Sequence, residues 1–214
     1  MDESGDMQFG AKATQHFALT AVCTTTPTRS ASALQQLKYD LMSHGSQDLE
    51  FHATENSNGT RLRVIDTLNT IAPLRIHTIW IDKGFTHPSM QNSVALLGLF
   101  AKAMGRWTAR VFEDTGVDQV VMIFDSVLTV KERDAFLKQL KPLLKTLPIK
   151  FRILFHPVKQ DLNGQIADYF SWSWHRQIEA GDSAWVERLQ PDHHWDKFNL
   201  FQAGKYRYWT RPEK

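Results

Sequence analysis

The sequence predicts an α/β fold, one mixed sheet of about five strands flanked by helices. Three observations point there. Short runs rich in β-branched and aromatic residues alternate with longer stretches of helical hydrophobic period. Parallel neighbours need long crossovers, which the helical stretches supply. The chain's 214 residues, 42% hydrophobic and 22% charged, suffice for one sizeable core.

In order, Phe17 to Thr24 is an apolar, β-branched strand closed by Thr26-Pro27. Ser30 to His44 has Leu34, Leu37 and Leu41 at helical spacing. A second helix carries Leu62, Val64, Ile65, Leu68 and Ile71 and ends before Pro73. Arg75 to Asp82 alternates and then turns apolar, as a buried strand does. Met90 to Arg110 reads as a helix through Leu96, Leu97, Phe100 and Met104, and Gln119 to Phe124 as a strand running straight into Asp125. Lys131 to Leu147 is amphipathic and stopped by Pro148, Ile149 to Val158 is a further strand, and Asp161 to Gly164 turns into a helix beginning at Gln165. Residues 1–180 thus form the main domain. Residues 181–214 form an aromatic-rich extension, with Trp185, Trp195, Phe198, Phe201 and Trp209, that packs on the same domain.

The formal net charge of +2 permits a polyanionic partner without demanding one. Cys23 is the only cysteine, which excludes an intrachain disulfide and a cysteine-based zinc site. Acidic residues stand where a signal peptide needs basic and apolar ones, and no apolar run reaches membrane-spanning length, so a cytoplasmic chain without membrane contact is expected. No glycine-rich nucleotide loop or serine-nucleophile elbow is present.

Several acids occupy element boundaries: Asp2 and Glu3 before the first apolar strand, Glu50 after the first helix, Asp125 at a strand end, and Asp168 early in the last long helix. Ligands collect at the carboxyl ends of strands in open α/β sheets, where Asp125 lies. Carboxylates converging in one cleft repel one another unless a divalent cation neutralises them, and oxygen ligands suit Mg²⁺ or Mn²⁺. Two such ions roughly 3.5–4 Å apart can activate water and stabilise the leaving oxygen of a phosphodiester.

Asp2-Glu3-Ser4-Gly5, Asp125 and Gln165-x-Ala167-Asp168 together resemble the signatures of the bacterial and phage domain of unknown function family 3800, which is regarded as ribonuclease H-like. The resemblance spans about residues 1–180. It implies a ribonuclease H-like domain and a metal-dependent nuclease, with Asp2, Glu3, Glu50, Asp125 and Asp168 as catalytic acids. Of these, Asp2, Glu50, Asp125 and Asp168 would hold the metal. His52, Lys83 and Gln165 are then expected to meet nucleic acid, with Asp82 as an alternative ion-pair partner for Lys83. The family's first strand precedes D-E-S-G, whereas here only Met1 precedes Asp2. A truncated first strand, with Asp2 on a frayed end, is therefore expected.

Lys138, Lys141 and Lys145 share a helix face that could follow a nucleic-acid backbone or simply be solvated. Tyr206 to Trp209, with Lys205 and Arg211, either stacks single-stranded bases or docks on the core. His193-His194 reads as polar surface or a transition-metal site, and His175 as an assistant to Asp168 or a packing residue. The competing function is a catalytically silent module that binds nucleic acid, a protein partner or a second copy.

Overall fold

The computed structural model describes residues 1–112, 116–126, 128–189 and 192–212. The strands are β1 (Asp2–Gly5), β2 (His16–Cys23), β3 (Arg75–Asp82), β4 (Gln119–Phe124), β5 (Lys150–Phe155) and β6 (His194–Asn199). The helices are α1 (Pro27–Ser43), α2 (Asn58–Thr70), α3 (Ser93–Phe112), α4 (Val130–Leu144), α5 (Leu162–Ala180) and α6 (Ala184–Leu189). A four-stranded mixed sheet has the order β1-β2-β3-β6, with β1 and β2 antiparallel to their neighbours and β6 parallel to β3. β4 and β5 form a separate parallel pair, so the described strands divide between two sheets rather than the single sheet of about five expected.

The expected frayed end does not occur, because D-E-S-G is itself β1. It pairs with β2 from Asp2↔Thr20 to Gly5↔Phe17, and Asp2 is buried. The α-amino group of Met1 donates to the Ile123 carbonyl at 2.8 Å, tying β1 to the end of β4. Gly5 closes the strand at φ +84, in the left-handed region, where a Cβ would overlap the His16 carbonyl. The extension also does more than pack on the domain: it supplies α6 and the sheet strand β6.

Side-chain alternation divides the core into two clusters. Phe17, Leu19 and Ala21 of β2 and Ile79 and Ile81 of β3 meet Phe100 and Met104 of α3 and Phe136 and Leu140 of α4. Ile76 of β3 meets α1, α2 and α5 through Leu34, Leu37, Val64, Ile65, Ile166 and Phe170. α4 begins at a capping box in which Thr129 and Glu132 satisfy each other's exposed backbone amides, fixing the chain just beyond Asp125. No described helix is long and apolar enough to cross a membrane.

Candidate metal centre

Asp2 and Glu3 are consecutive strand residues, so their side chains leave opposite faces of β1. Asp2 pairs with Thr20, whose hydroxyl bonds Thr78 at 2.9 Å, whereas Glu3 pairs with Leu19 of the α3–α4 core. Because β1 is only four residues long and Met1 meets Ile123, both carboxyl groups reach Asp125, the residue after β4. One oxygen from each of Asp2, Glu3 and Asp125 lies within 4.8 Å of the others. Glu3 and Asp125 also border a small cavity of about 20 Å³ that is otherwise lined by apolar side chains, among them Phe17, Leu97 and Phe136. Asp125 is held in place by the Ser126 and Val158 N–H groups, both donating to its Oδ1.

Asp168 stands outside this three-residue group but beside it. It is buried on α5, and its charge is second only to burial in raising the Asp2 pKa. Burial, then Asp168, then Glu3 push Asp2 up to about 9, against the opposing charge of the Met1 amine. Glu3 rises to about 7 through burial and the charge of Asp125. Burial also raises Asp168, and it lowers the Met1 amine. These carboxyl groups resist ionising together, and a cation among them would remove the conflict. Three carboxylate oxygens at this spacing fit a hard divalent ion.

Gln165 does not face solvent. It is buried, with Oε1 accepting from Phe51 N–H at 3.1 Å and Nε2 donating to the Lys159 carbonyl at 2.6 Å. Asp168 accepts from Ala53 N–H at 2.6 Å. The two residues, nearly one turn apart on α5, therefore clamp the 51–53 segment, and this corrects the expected nucleic-acid role of Gln165. Between the clamps, His52 places Nδ1 3.9 Å from Asp168 Oδ1. Removing both Gln165 bonds in Gln165→Ala should cost about 2 kcal/mol in chemical denaturation. Loosening the segment that holds Asp168 should weaken Mn²⁺ binding roughly tenfold by calorimetry. A variant unchanged in both measurements would contradict the clamp.

Glu50 does not join the acids. Burial of Phe51 and Ala53 turns it outward, where it is exposed, and its carbonyl accepts from Asn56 Nδ2 at 2.8 Å. Lys83 is likewise removed from substrate, being wholly buried and bonded to Asp6 and Gln8. Asp82 pairs with Arg207 at 2.9 Å rather than with Lys83. Lys138 and Lys141 are exposed on α4 and unpaired among the described residues.

Trp209 docks on the core, its Nε1–H donating to the Phe9 carbonyl at 2.9 Å, while Tyr206 is 71% exposed. His193 is buried and accepts from Leu74 N–H at 3.2 Å, so it is not polar surface. His175 lies two turns from Asp168 and approaches Gly5 at the opposite end of β1. Sequence reasoning missed the Ala53 amide and the Met1 amine, since backbone groups carry no sequence signature. The chain matches no protein-family model and no curated protein, so the chemistry of the site has to be judged from its own geometry.

Proposed function

We propose that Asp2, Glu3, Asp125 and Asp168 bind Mg²⁺ or Mn²⁺ and that the protein hydrolyses phosphodiester bonds in nucleic acid, within a ribonuclease H-like domain as the resemblance to family 3800 implies. The observation that carries the reading is the meeting of the Asp2, Glu3 and Asp125 carboxylates, from chain positions more than 120 residues apart, within 4.8 Å. The antiparallel β1-β2-β3 run and the parallel β4-β5 pair are compatible with that fold.

When bound, the divalent ion would supply charge neutralisation and Lewis-acid polarisation of the phosphodiester. The chain's own residues do the rest. Asp2 and Asp125 present ligand oxygens from the ends of β1 and β4, and the Ser126 and Val158 amides fix the orientation of Asp125. Asp168, held by Ala53, supplies negative charge from the α5 side.

Calorimetric titration with Mn²⁺ tests the metal centre. Asp125→Asn should lose at least about 100-fold in affinity, because a neutral amide replaces a charged ligand. The wild type should then cleave single- or double-stranded DNA or RNA in Mn²⁺, and the variant should not. No Mn²⁺ binding by the wild type would overturn the metal centre. Binding without cleavage of any of these substrates would overturn the nuclease and leave the silent binding module.

A further inference from the structure

A second concave feature lies away from the acids. The start of α1, the openings of β3 and β6, the end of α3 and Val117 border a cleft of about 340 Å³. That is the small end of the roughly 300–1,000 Å³ range of small-molecule sites. Its lining includes the polar and basic residues Thr24, Thr25, Thr26, Arg29, Arg75 and His194. It also includes the apolar residues Ile71, Leu74, Val111, Phe112 and Val117. Among the described residues that line it, none is acidic.

The two arginines are uncommitted. Arg176, Arg188, Arg207 and Arg211 each close an ion pair, whereas the Arg29 and Arg75 guanidiniums make no hydrogen bond or ion pair among the described residues. Two unneutralised guanidinium groups beside one cleft create a field that an anion relieves, and their planar forks match phosphate oxygens. The first turn of α1 adds to this, since it contains no acid and Thr26 provides no side-chain cap.

We infer that this cleft binds a phosphate ester, its phosphate held between Arg29 and Arg75 and its organic part lying against the Leu74–Val111–Phe112 wall. The ester is either a free mononucleotide or a phosphodiester within a strand. Both offer the same phosphate chemistry, and neither requires the acidic cluster to act as proposed above.

The test is calorimetry at low salt with a chelator present, using 5′-AMP, the dinucleoside monophosphate ApA and adenosine as probes. Proteins are the wild type, Arg29→Gln, Arg75→Gln and Asp125→Asn. At least one phosphate-bearing probe should bind about tenfold or more tightly than adenosine, and Arg75→Gln should weaken it by a similar factor. Asp125→Asn should bind as the wild type does. Preference for AMP identifies a free monoester, and equal or tighter binding of ApA identifies a strand phosphodiester. The inference is overturned by adenosine binding as well as AMP and ApA, or by no binding at millimolar concentration. Insensitivity to both arginine substitutions, or loss of binding in Asp125→Asn, overturns it equally. Both arginines are exposed, and matching unfolding temperatures will confirm that each variant is folded.

Discussion

Stripped of divalent ions, the protein should lose stability as pH rises from about 6.5 to about 9, and Asp2→Asn should remove most of that loss. The direction follows from proton counts. Asp2 holds its proton up to about 9 when folded, far above its ordinary value of 3.8. Between those values the folded state binds the extra proton, so stability is greatest at the low end of the window and declines as pH climbs through it. Glu3, raised to about 7, and Asp168 act in the same sense.

The Met1 amine and three histidines oppose them. Burial lowers all four, so unfolding takes up protons there and their contribution to stability grows with pH. His77, lowered to about 4, and its fellow histidines finish this change near their ordinary value of 6.5, which leaves the upper window to the acids, the amine, buried Lys83 and half-buried Lys197, the lysines' lowering by burial working in the same sense as the amine's. One unmatched proton is worth at most about 1.4 kcal/mol per pH unit. The share of Asp2 in the wild-type decline between about pH 7 and 9 should therefore reach about 2–3 kcal/mol, with Asp168 adding to it and the amine subtracting.

Saturating Mn²⁺ should flatten the wild-type profile by favouring the ionised carboxylates, and its binding near neutral pH should release protons, seen as buffer-dependent heats. Denaturant unfolding at several pH values in chelator reads the slope. A wild-type stability that is level or rising over the upper window, or an Asp2→Asn variant that keeps the decline, would contradict the burial of Asp2 among like charges.

The parts of the fold visible in the sequence were those with a strong hydrophobic period. β3 and β4 fall within the predicted bounds because Arg75–Asp82 and Gln119–Phe124 carry their own apolar pattern. β1 has none. Asp-Glu-Ser-Gly is polar throughout and becomes a strand through pairing with β2. β6 hides its period differently, since one of its half-buried positions is Lys197, whose ammonium lies over the rings of Trp174 and Trp195 at 5.2 and 4.3 Å. A lysine in that role reads as surface from sequence alone.

The site divides in the same way. Asp2, Glu3 and Asp125 could be picked out as acids at element boundaries, but their convergence depends on the Met1–Ile123 contact, which no periodicity encodes. Glu50 was misplaced because the pattern could not tell that Phe51 and Ala53 would take the inward positions of its segment. Gln165 looked like a substrate contact because its true partners are backbone groups. Asp82 and Lys83 looked like a pair because they are adjacent. The 3₁₀ turn at Lys83–Phe85 instead sends Asp82 to Arg207 and Lys83 to Asp6.

Lys83 sets up the second large effect. Its ammonium donates to the Asp6 carbonyl at 2.9 Å, to Asp6 Oδ1 at 3.0 Å and to the Gln8 carbonyl at 2.8 Å, spending all three protons. The rings of Phe9 and Trp209 lie 5.6 and 5.4 Å from it. The lysine thus pins the loop between β1 and β2 and joins it to the C-terminal segment, whose Tyr208 and Trp209 amides both donate to the Gly84 carbonyl. Lys83→Met keeps the buried stem and deletes every one of these polar contacts.

Breaking a buried pair from one side costs roughly 3–5 kcal/mol, and the lower end applies here because Asp6 is 35% exposed and can be rehydrated. The unfolding temperature should fall by about 6–12 °C for a chain of this size. In Asp6→Asn the penalty of the lysine substitution should shrink by at least about 1 kcal/mol, since the pair is already broken. Affinity for Mn²⁺ should stay within about twofold, because Lys83 meets the loop after Gly5 while the acids gather at the Asp2 end of β1. A stable Lys83→Met variant whose only loss is nucleic-acid binding would return this lysine to the substrate surface.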